Sequence, residues 1–446
     1  TTTMHKPIFH ITPKKGWMNA PNGLVEYKGA YHVFYQADPD HLVNKTIGWG
    51  HKMSYDLLHW EECLPALLPD ADYDRDGCFT GSAVVKDDKM YLLYTGHVNQ
   101  ENGYVETQNL AVSEDGIRFE KYEGNPVIEK PPIDTTMRFR DPKIWEANGK
   151  YYVAIGAESE DKCGKVVYYV SDDLYNYEYC GILADSDGSI GNMWECPNFT
   201  KIESTDVLIF SPKGLGKHFP VSFESGYMAG TMDYVNEKFE HGTYHTLDHG
   251  FDFYAPQVME CGNRKILFAW FAIPDSIGKE MEDGWRHLLT LPRELKISSD
   301  NRLLMMPIKE LEELRTGLLT QTRLNKLWEC DVENQPLELL LTGSHKEVCL
   351  KIEDEKEQLL ELTVKNDCIT LKQKRKEGWE ERTCFYEDDA VEKIQIYMDY
   401  NTFEVFINDG RYVFSCRIYP GEKLHFAMDG AANETDGKLE MYSLSL

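Results

Sequence analysis

Apolar positions along this chain come in short runs that alternate with polar residues or carry β-branched and aromatic neighbours. Such period-two patterning predicts strands, and helical periodicity is rare. Five of the runs follow a turn signal and resemble one another: Tyr31-His32-Val33-Phe34-Tyr35, Met90-Tyr91-Leu92-Leu93-Tyr94, Tyr151-Tyr152-Val153-Ala154-Ile155, Val207-Leu208-Ile209-Phe210 and Ile266-Leu267-Phe268-Ala269-Trp270. Their first residues lie 59, 61, 56 and 59 positions apart. A unit of that length holds several strands, so five copies predict a five-bladed β-propeller in which one strand per blade lines a central channel.

Ten to twelve residues ahead of each run stands a second shared string: Asn19-Ala20-Pro21, Phe79-Thr80-Gly81-Ser82, Arg140-Asp141-Pro142, Glu195-Cys196-Pro197 and Tyr254-Ala255-Pro256. If these are the inner strands, side chains distant in sequence converge on one axis, and Asp141 and Glu195 share a pocket. Taken singly, either acid reads as an ordinary turn or surface group. Equivalent places in a repeat favour convergence.

Near residue 300 the pattern changes. Pro307 near its start, Leu311 and Leu314 on one face and Gly317 past its end mark a short helix. Beyond it, alternating runs such as Val348–Ile352, Leu359–Val364, Ile394–Met398 and Phe403–Ile407, with turn chemistry at Asp399-Tyr400-Asn401 and Asn408-Asp409-Gly410, predict a β-sandwich. The expected plan is all-β: a catalytic propeller over 1–300, a linker with a short helix over 301–320 and a sandwich over 321–446. The sandwich reads foremost as structural support, with sugar binding and homo-oligomer contact as its other candidate roles.

Composition narrows the function classes. With 446 residues, 42% hydrophobic and 27% charged, the chain is neither disordered nor a disulfide mini-scaffold. A net charge of −28 repels phosphate backbones and anionic bilayers, so neither nucleic acid nor a membrane is an expected partner. Eleven cysteines, odd in number and without a Cys-x-x-Cys pair, read as reduced thiols rather than disulfides or a zinc site. Sequons at Asn44, Asn198 and Asn433 would matter only in a eukaryotic secretory pathway. A natural start at Met4 would make the protein cytoplasmic; a leader removed before Thr1 would make it secreted.

Longer strings then fall into place: Gly16-Trp17-Met18-Asn19-Ala20-Pro21-Asn22-Gly23, Phe34-Tyr35-Gln36, Trp49-Gly50-His51, Phe79-Thr80-Gly81-Ser82, Phe139-Arg140-Asp141-Pro142, Trp194-Glu195-Cys196-Pro197, Phe251-Asp252-Phe253-Tyr254-Ala255-Pro256 and Leu291-Pro292-Arg293-Glu294-Leu295. In this order and spacing they resemble glycoside hydrolase family 32, the invertases, sucrose-6-phosphate hydrolases, inulinases and levanases. The resemblance runs nearly end to end and implies the same propeller and sandwich. It also implies retaining cleavage of terminal β-D-fructofuranosides through a covalent fructosyl-enzyme, chemistry that uses two carboxyl groups about 5 Å apart. Glu195 is the implied acid/base and Asp141 the transition-state stabiliser. Asp141 is expected to stay ionised beside Arg140, and Glu195 to hold a proton near neutral pH.

The chain departs from the family at position 20, where Ala20 replaces the nucleophilic aspartate in an otherwise intact motif. The expected reading is an inactivated hydrolase that traps substrate; a natural fructoside-binding pseudoenzyme is the alternative, and a fructosyltransferase or inulinase-type parent stays open. By motif, Asn19, Gln36, Trp49, Phe79, Thr80, Arg140 and Trp270 are the implied fructose-binding residues. Tyr254 and Trp285 are candidates for the leaving-group side. Asn44 stands where bacterial relatives often carry a tryptophan. An anionic sucrose 6-phosphate would call for a local cation, with Lys52, Arg286 and His287 as candidates. Neither a cofactor nor a metal is expected, since two carboxyl groups suffice.

Overall fold

The computed structural model describes residues 4–430 and 437–446; Thr1–Thr3 and the Asn433 sequon lie outside the described residues. Two compact units emerge, one of Ile11–Thr246 with Tyr254–Ile297 and one of Thr1–His10, Leu247–Phe253 and Ser298–Leu446.

The first unit is the propeller. Each of the five runs is the second strand of a sheet, Ala30–Asp38, Lys89–Gln100, Lys150–Ser159, Thr205–Lys213 and Arg264–Trp270, and pairs antiparallel with the strand before it. Those preceding strands are Gly16–Tyr27, Cys78–Lys86, Thr135–Ala147, Met193–Ile202 and Tyr254–Cys261. They neighbour one another in a ring, the fifth returning to the first. A parallel bridge from Trp285–Arg286 to Gly16–Trp17 ties the end of the unit to its beginning. The second strands carry runs of consecutive apolar residues, such as Val153-Ala154-Ile155 and Val207-Leu208-Ile209-Phe210, because neighbouring blades cover both faces: Phe34, Trp49 and Tyr94 fill the gap between blades one and two, and Trp145, Phe199 and Phe210 that between three and four.

The second unit is a sandwich of two six-stranded antiparallel sheets. Its strands alternate, as in Val348–Asp354, where Val348, Leu350 and Ile352 are buried and Lys351 is exposed. The inner faces form one core with Leu339, Leu362, Ile396 and Phe426.

The domain plan read from the sequence differs from this division. The expected helix is a 3-10 turn, Lys309–Leu314, and the segment expected as linker enters a sheet, Arg315–Arg323 pairing with Lys438–Leu444. Residues 4–10, expected in the propeller, belong to the sandwich unit, held by polar contacts that hydrophobic patterning does not register. The Ile8 and Phe9 N–H groups donate to the Asp399 carboxylate at 2.9 and 2.8 Å. The buried His10 ring lies between Asp399, at 2.8 Å, and Glu404, at 2.5 Å.

Burial alone would strip the proton from His10, but Glu404 and Asp399 outweigh it and hold the imidazolium up to about 9. That stabilisation, on the order of 3 kcal/mol, is present in full below the ordinary value of 6.5 and is lost as pH rises through 9. His10→Gln is therefore expected to lower the melting temperature at pH 6 and to flatten its fall between pH 7 and 10, as read by circular dichroism. A parental melting temperature unchanged across that range would contradict the charged pairing.

Candidate active site

Where the five inner strands meet, they enclose a cavity of about 550 Å³, a size suited to a disaccharide-scale ligand. Each blade supplies its shared string: Asn19 and Ala20, Phe79 and Thr80, Arg140 and Asp141, Glu195 and Cys196, Tyr254 and Ala255 all line the space. Gln36 and Trp270 reach it from second strands.

Local backbone makes this convergence. The ladder slips at the same place in every blade, between Met18 and Pro21, Cys78 and Gly81, Arg140 and Lys143, Glu195 and Asn198, and Tyr254 and Gln257. A bulge re-aims a side chain that regular pleating would point into a neighbouring blade. In three blades the residue before proline adopts a left-handed backbone: Asp141, Cys196 and Ala255 have φ of 69°, 49° and 53°. Such strain costs on the order of 1–3 kcal/mol per residue and persists only where the surroundings over-determine it. Here they do. The Asp141 N–H donates to Thr95 Oγ1 at 2.9 Å, the Ala255 N–H to Ser211 Oγ at 3.1 Å, and the Cys196 N–H to Asp141 Oδ2 at 3.0 Å. In the second blade Gly81 replaces the proline, and a Cβ there would collide with the Leu93 carbonyl oxygen.

Arg140 is the electrostatic hub. Its guanidinium reaches Glu106 at 3.1 Å and Glu195 Oε2 at 2.9 Å, while the Tyr254 hydroxyl donates to Glu195 Oε1 at 2.6 Å. Burial would raise the Glu195 carboxyl, but Arg140, Lys213 and the Tyr254 hydroxyl outweigh it and hold Glu195 below the ordinary carboxylate range. Burial also dominates at Asp141; Arg140 opposes it only in part and Glu195 adds to it, so the Asp141 carboxyl is pushed up to about 7. The expected order of protonation is thus reversed. The cause is geometric: the guanidinium bonds Glu195 rather than the acid next to it in sequence.

Most of the residues implied by motif meet at this wall. Trp49 does not. It is 1% exposed, packed against Phe34 and Tyr94, and its Nε1–H donates to the Phe79 carbonyl at 2.9 Å, so it supports the wall from behind. Trp270 donates to the Met18 carbonyl at 3.0 Å, and Gln36 donates to Thr80 Oγ1 at 2.6 Å. Arg286 and His287 line the cavity, whereas Lys52 and Trp285 do not. Asn44 is exposed at the rim. The Asn198 sequon is 1% exposed, with its amide donating to Pro256 O at 2.8 Å, which leaves no room for a glycan in the folded chain.

Several lining residues escape the sequence reading, chief among them Glu106, His97, Arg138 and Lys213. Glu106 is 1% exposed and bonds His97 Nδ1 at 3.1 Å as well as Arg140; the His97 ring stacks on Phe79 at 4.4 Å. A signal for it existed. Glu106-Thr107-Gln108-Asn109 is an unbroken polar run in mid-strand, and all four are buried, a placement that requires partners.

The family model for the glycosyl hydrolases family 32 N-terminal domain matches residues 10–307, and that for the family 32 C terminal matches 323–443. The chain belongs to glycosyl hydrolase family 32. Among relatives of this family 32 chain, a sucrose-6-phosphate hydrolase of Bacillus subtilis is 36% identical, covering 99% of this chain and 94% of the relative. A raffinose invertase of Escherichia coli is 38% identical, covering 98% and 94%. In structure the chain is similar to a Bombyx mori family 32 β-fructofuranosidase, with a TM-score of 0.89 at 34% identity over 98% of this chain and 94% of that one. That enzyme is also solved as an aspartate-to-alanine mutant in complex with sucrose, with the same similarity. These relatives are glycoside hydrolases, and β-fructofuranoside hydrolysis is the chemistry the likeness supports.

Proposed function

We propose that this chain binds terminal β-D-fructofuranosides in the propeller cavity and holds them largely uncleaved, as a family 32 hydrolase whose nucleophile position carries Ala20. The observation that carries the reading is the meeting of Ala20, Asp141 and Glu195 in one cavity with hydroxyl-matching groups around them. Glu195 serves as acid/base toward the glycosidic oxygen. Asp141 accepts hydrogen bonds from fructose hydroxyls, which favour its ionised form and release the proton it carries near pH 7. Asn19, Gln36, Thr80 and Arg140 fix the ring, with Phe79 and Trp270 as apolar walls. A methyl group cannot attack the anomeric carbon, so the double displacement stops before its first covalent step.

Lys213 supports an anionic group on the leaving sugar. Its ammonium lines the cavity and makes no hydrogen bond or ion pair among the described residues, whereas Arg138 pairs with Glu158 at 3.5 Å and Arg286 is bonded to backbone carbonyls. Eleven unpaired thiols support a reducing, cytoplasmic setting. Titration calorimetry tests the reading. Sucrose and sucrose 6-phosphate are both expected to bind without heat from hydrolysis, the phosphorylated sugar more tightly, and Lys213→Ala is expected to narrow that difference about ten-fold. Absence of binding by sucrose, sucrose 6-phosphate and kestose alike would overturn it.

A further inference from the structure

The sandwich carries a second depression, of about 310 Å³, lined by Gln358, Glu361, Lys372, Trp379, Glu380 and Glu381. Three neighbouring strands build it: Gln358–Lys365, Cys368–Arg375 and the edge strand Gly378–Phe385. Register places Glu361, Lys372 and Glu381 in one row across them, and sets Trp379 opposite Lys374, two residues along the same face from Glu381.

Trp379, at the start of the edge strand, leaves 46% of its surface exposed. Among the described residues, neither its indole N–H nor the side-chain polar atoms of Gln358, Lys372 and Glu381 make a hydrogen bond or ion pair. An open indole surface beside unpartnered donors and acceptors is the combination that binds a sugar ring, whose C–H face covers the indole while its hydroxyls bond the polar groups. Charge selects among occupants. Glu361 and Glu381 flank Lys372, Lys351 stands opposite Glu361 and Arg375 pairs with Glu380 at 3.7 Å, so no excess charge of either sign draws an ionic ligand, while a neutral polyhydroxyl ring finds both donors and acceptors.

We propose that this depression is a non-catalytic carbohydrate-binding site for one or two neutral hexose units of an oligosaccharide or polysaccharide, with Trp379 as the stacking platform. It stands independently of the propeller cavity.

Native gels cast with inulin, levan or dextran test it, using the full chain, Trp379→Ala and Trp379→Phe. The full chain is expected to be retarded by at least one of these polymers. Trp379→Ala should lose that retardation, by about five-fold or more in apparent affinity, and Trp379→Phe should keep part of it. Retardation by inulin or levan but not dextran identifies a fructose chain as the source of the rings; the converse identifies glucose chains. Sucrose binding by calorimetry should be equal in all three proteins, because the substitution lies on the sandwich. Equal retardation of Trp379→Ala and the parent, no retardation of the parent in any polymer, or a parent that only self-associates through Trp379 would overturn the proposal. Loss of sucrose binding in every protein would instead count against the propeller reading and leave this one standing.

Discussion

Ala20→Asp is expected to restore release of glucose and fructose from sucrose, or of glucose 6-phosphate and fructose from sucrose 6-phosphate, raising kcat by roughly 10³-fold or more. The carboxylate enters a cavity that already holds Glu195 and Asp141, so on the proposed function nothing else has to be built. Its charge also acts on its neighbours. A third carboxylate facing Asp141 and Glu195 raises the proton affinity of both, and moves Glu195 from the ionised state favoured by Arg140 toward the protonated state that leaving-group departure needs. The revertant should therefore be active on the acid side of neutrality and lose activity as Glu195 ionises. Initial rates from pH 4 to 8, on protein shown to be folded, check both statements. A folded revertant inert on sucrose, sucrose 6-phosphate and inulin would remove the hydrolase from the reading and leave a binding protein.

In the revertant background, Glu195→Gln is expected to lower kcat on sucrose by about 10²–10⁴-fold, the usual contribution of a positioned acid/base. The glutamine keeps the shape of the Arg140 and Tyr254 contacts but carries no titrating proton. Two signatures separate lost chemistry from a disturbed cavity. The fall of rate with rising pH should disappear, because the group that titrates there is gone. A fructoside with a leaving group that departs without a proton should recover most of the rate of the first step, read as a burst of leaving group, while hydrolysis of the fructosyl-enzyme, which needs Glu195 as base, stays slow. Equal losses in that first step on both substrates would assign the proton to another group.

The limits of patterning show at particular residues. Periodicity near sixty residues and alternating polarity were enough to place the second strand of every blade and both carboxylic acids in one space, because a propeller repeats one unit about one axis. The same patterning missed Glu106, buried beneath Arg140, since a mid-strand acid reads as surface until its partners are known. The family motif, for its part, implied Trp49 among the fructose-binding residues, where a tryptophan in a strand serves equally well as core.

By itself, then, the order of residues determined the strand class, the number of blades, the sandwich that follows and the identities of Ala20, Asp141 and Glu195, because repeat length and motif are one-dimensional properties. Only the tertiary structure decided which acid keeps the proton and which segment joins which unit. Proton affinity depends on burial and on the atom to which Arg140 turns, and the place of His10 depends on Asp399 and Glu404, nearly four hundred residues away. Energies of that kind fall off with distance through space, and separation along the chain does not report it.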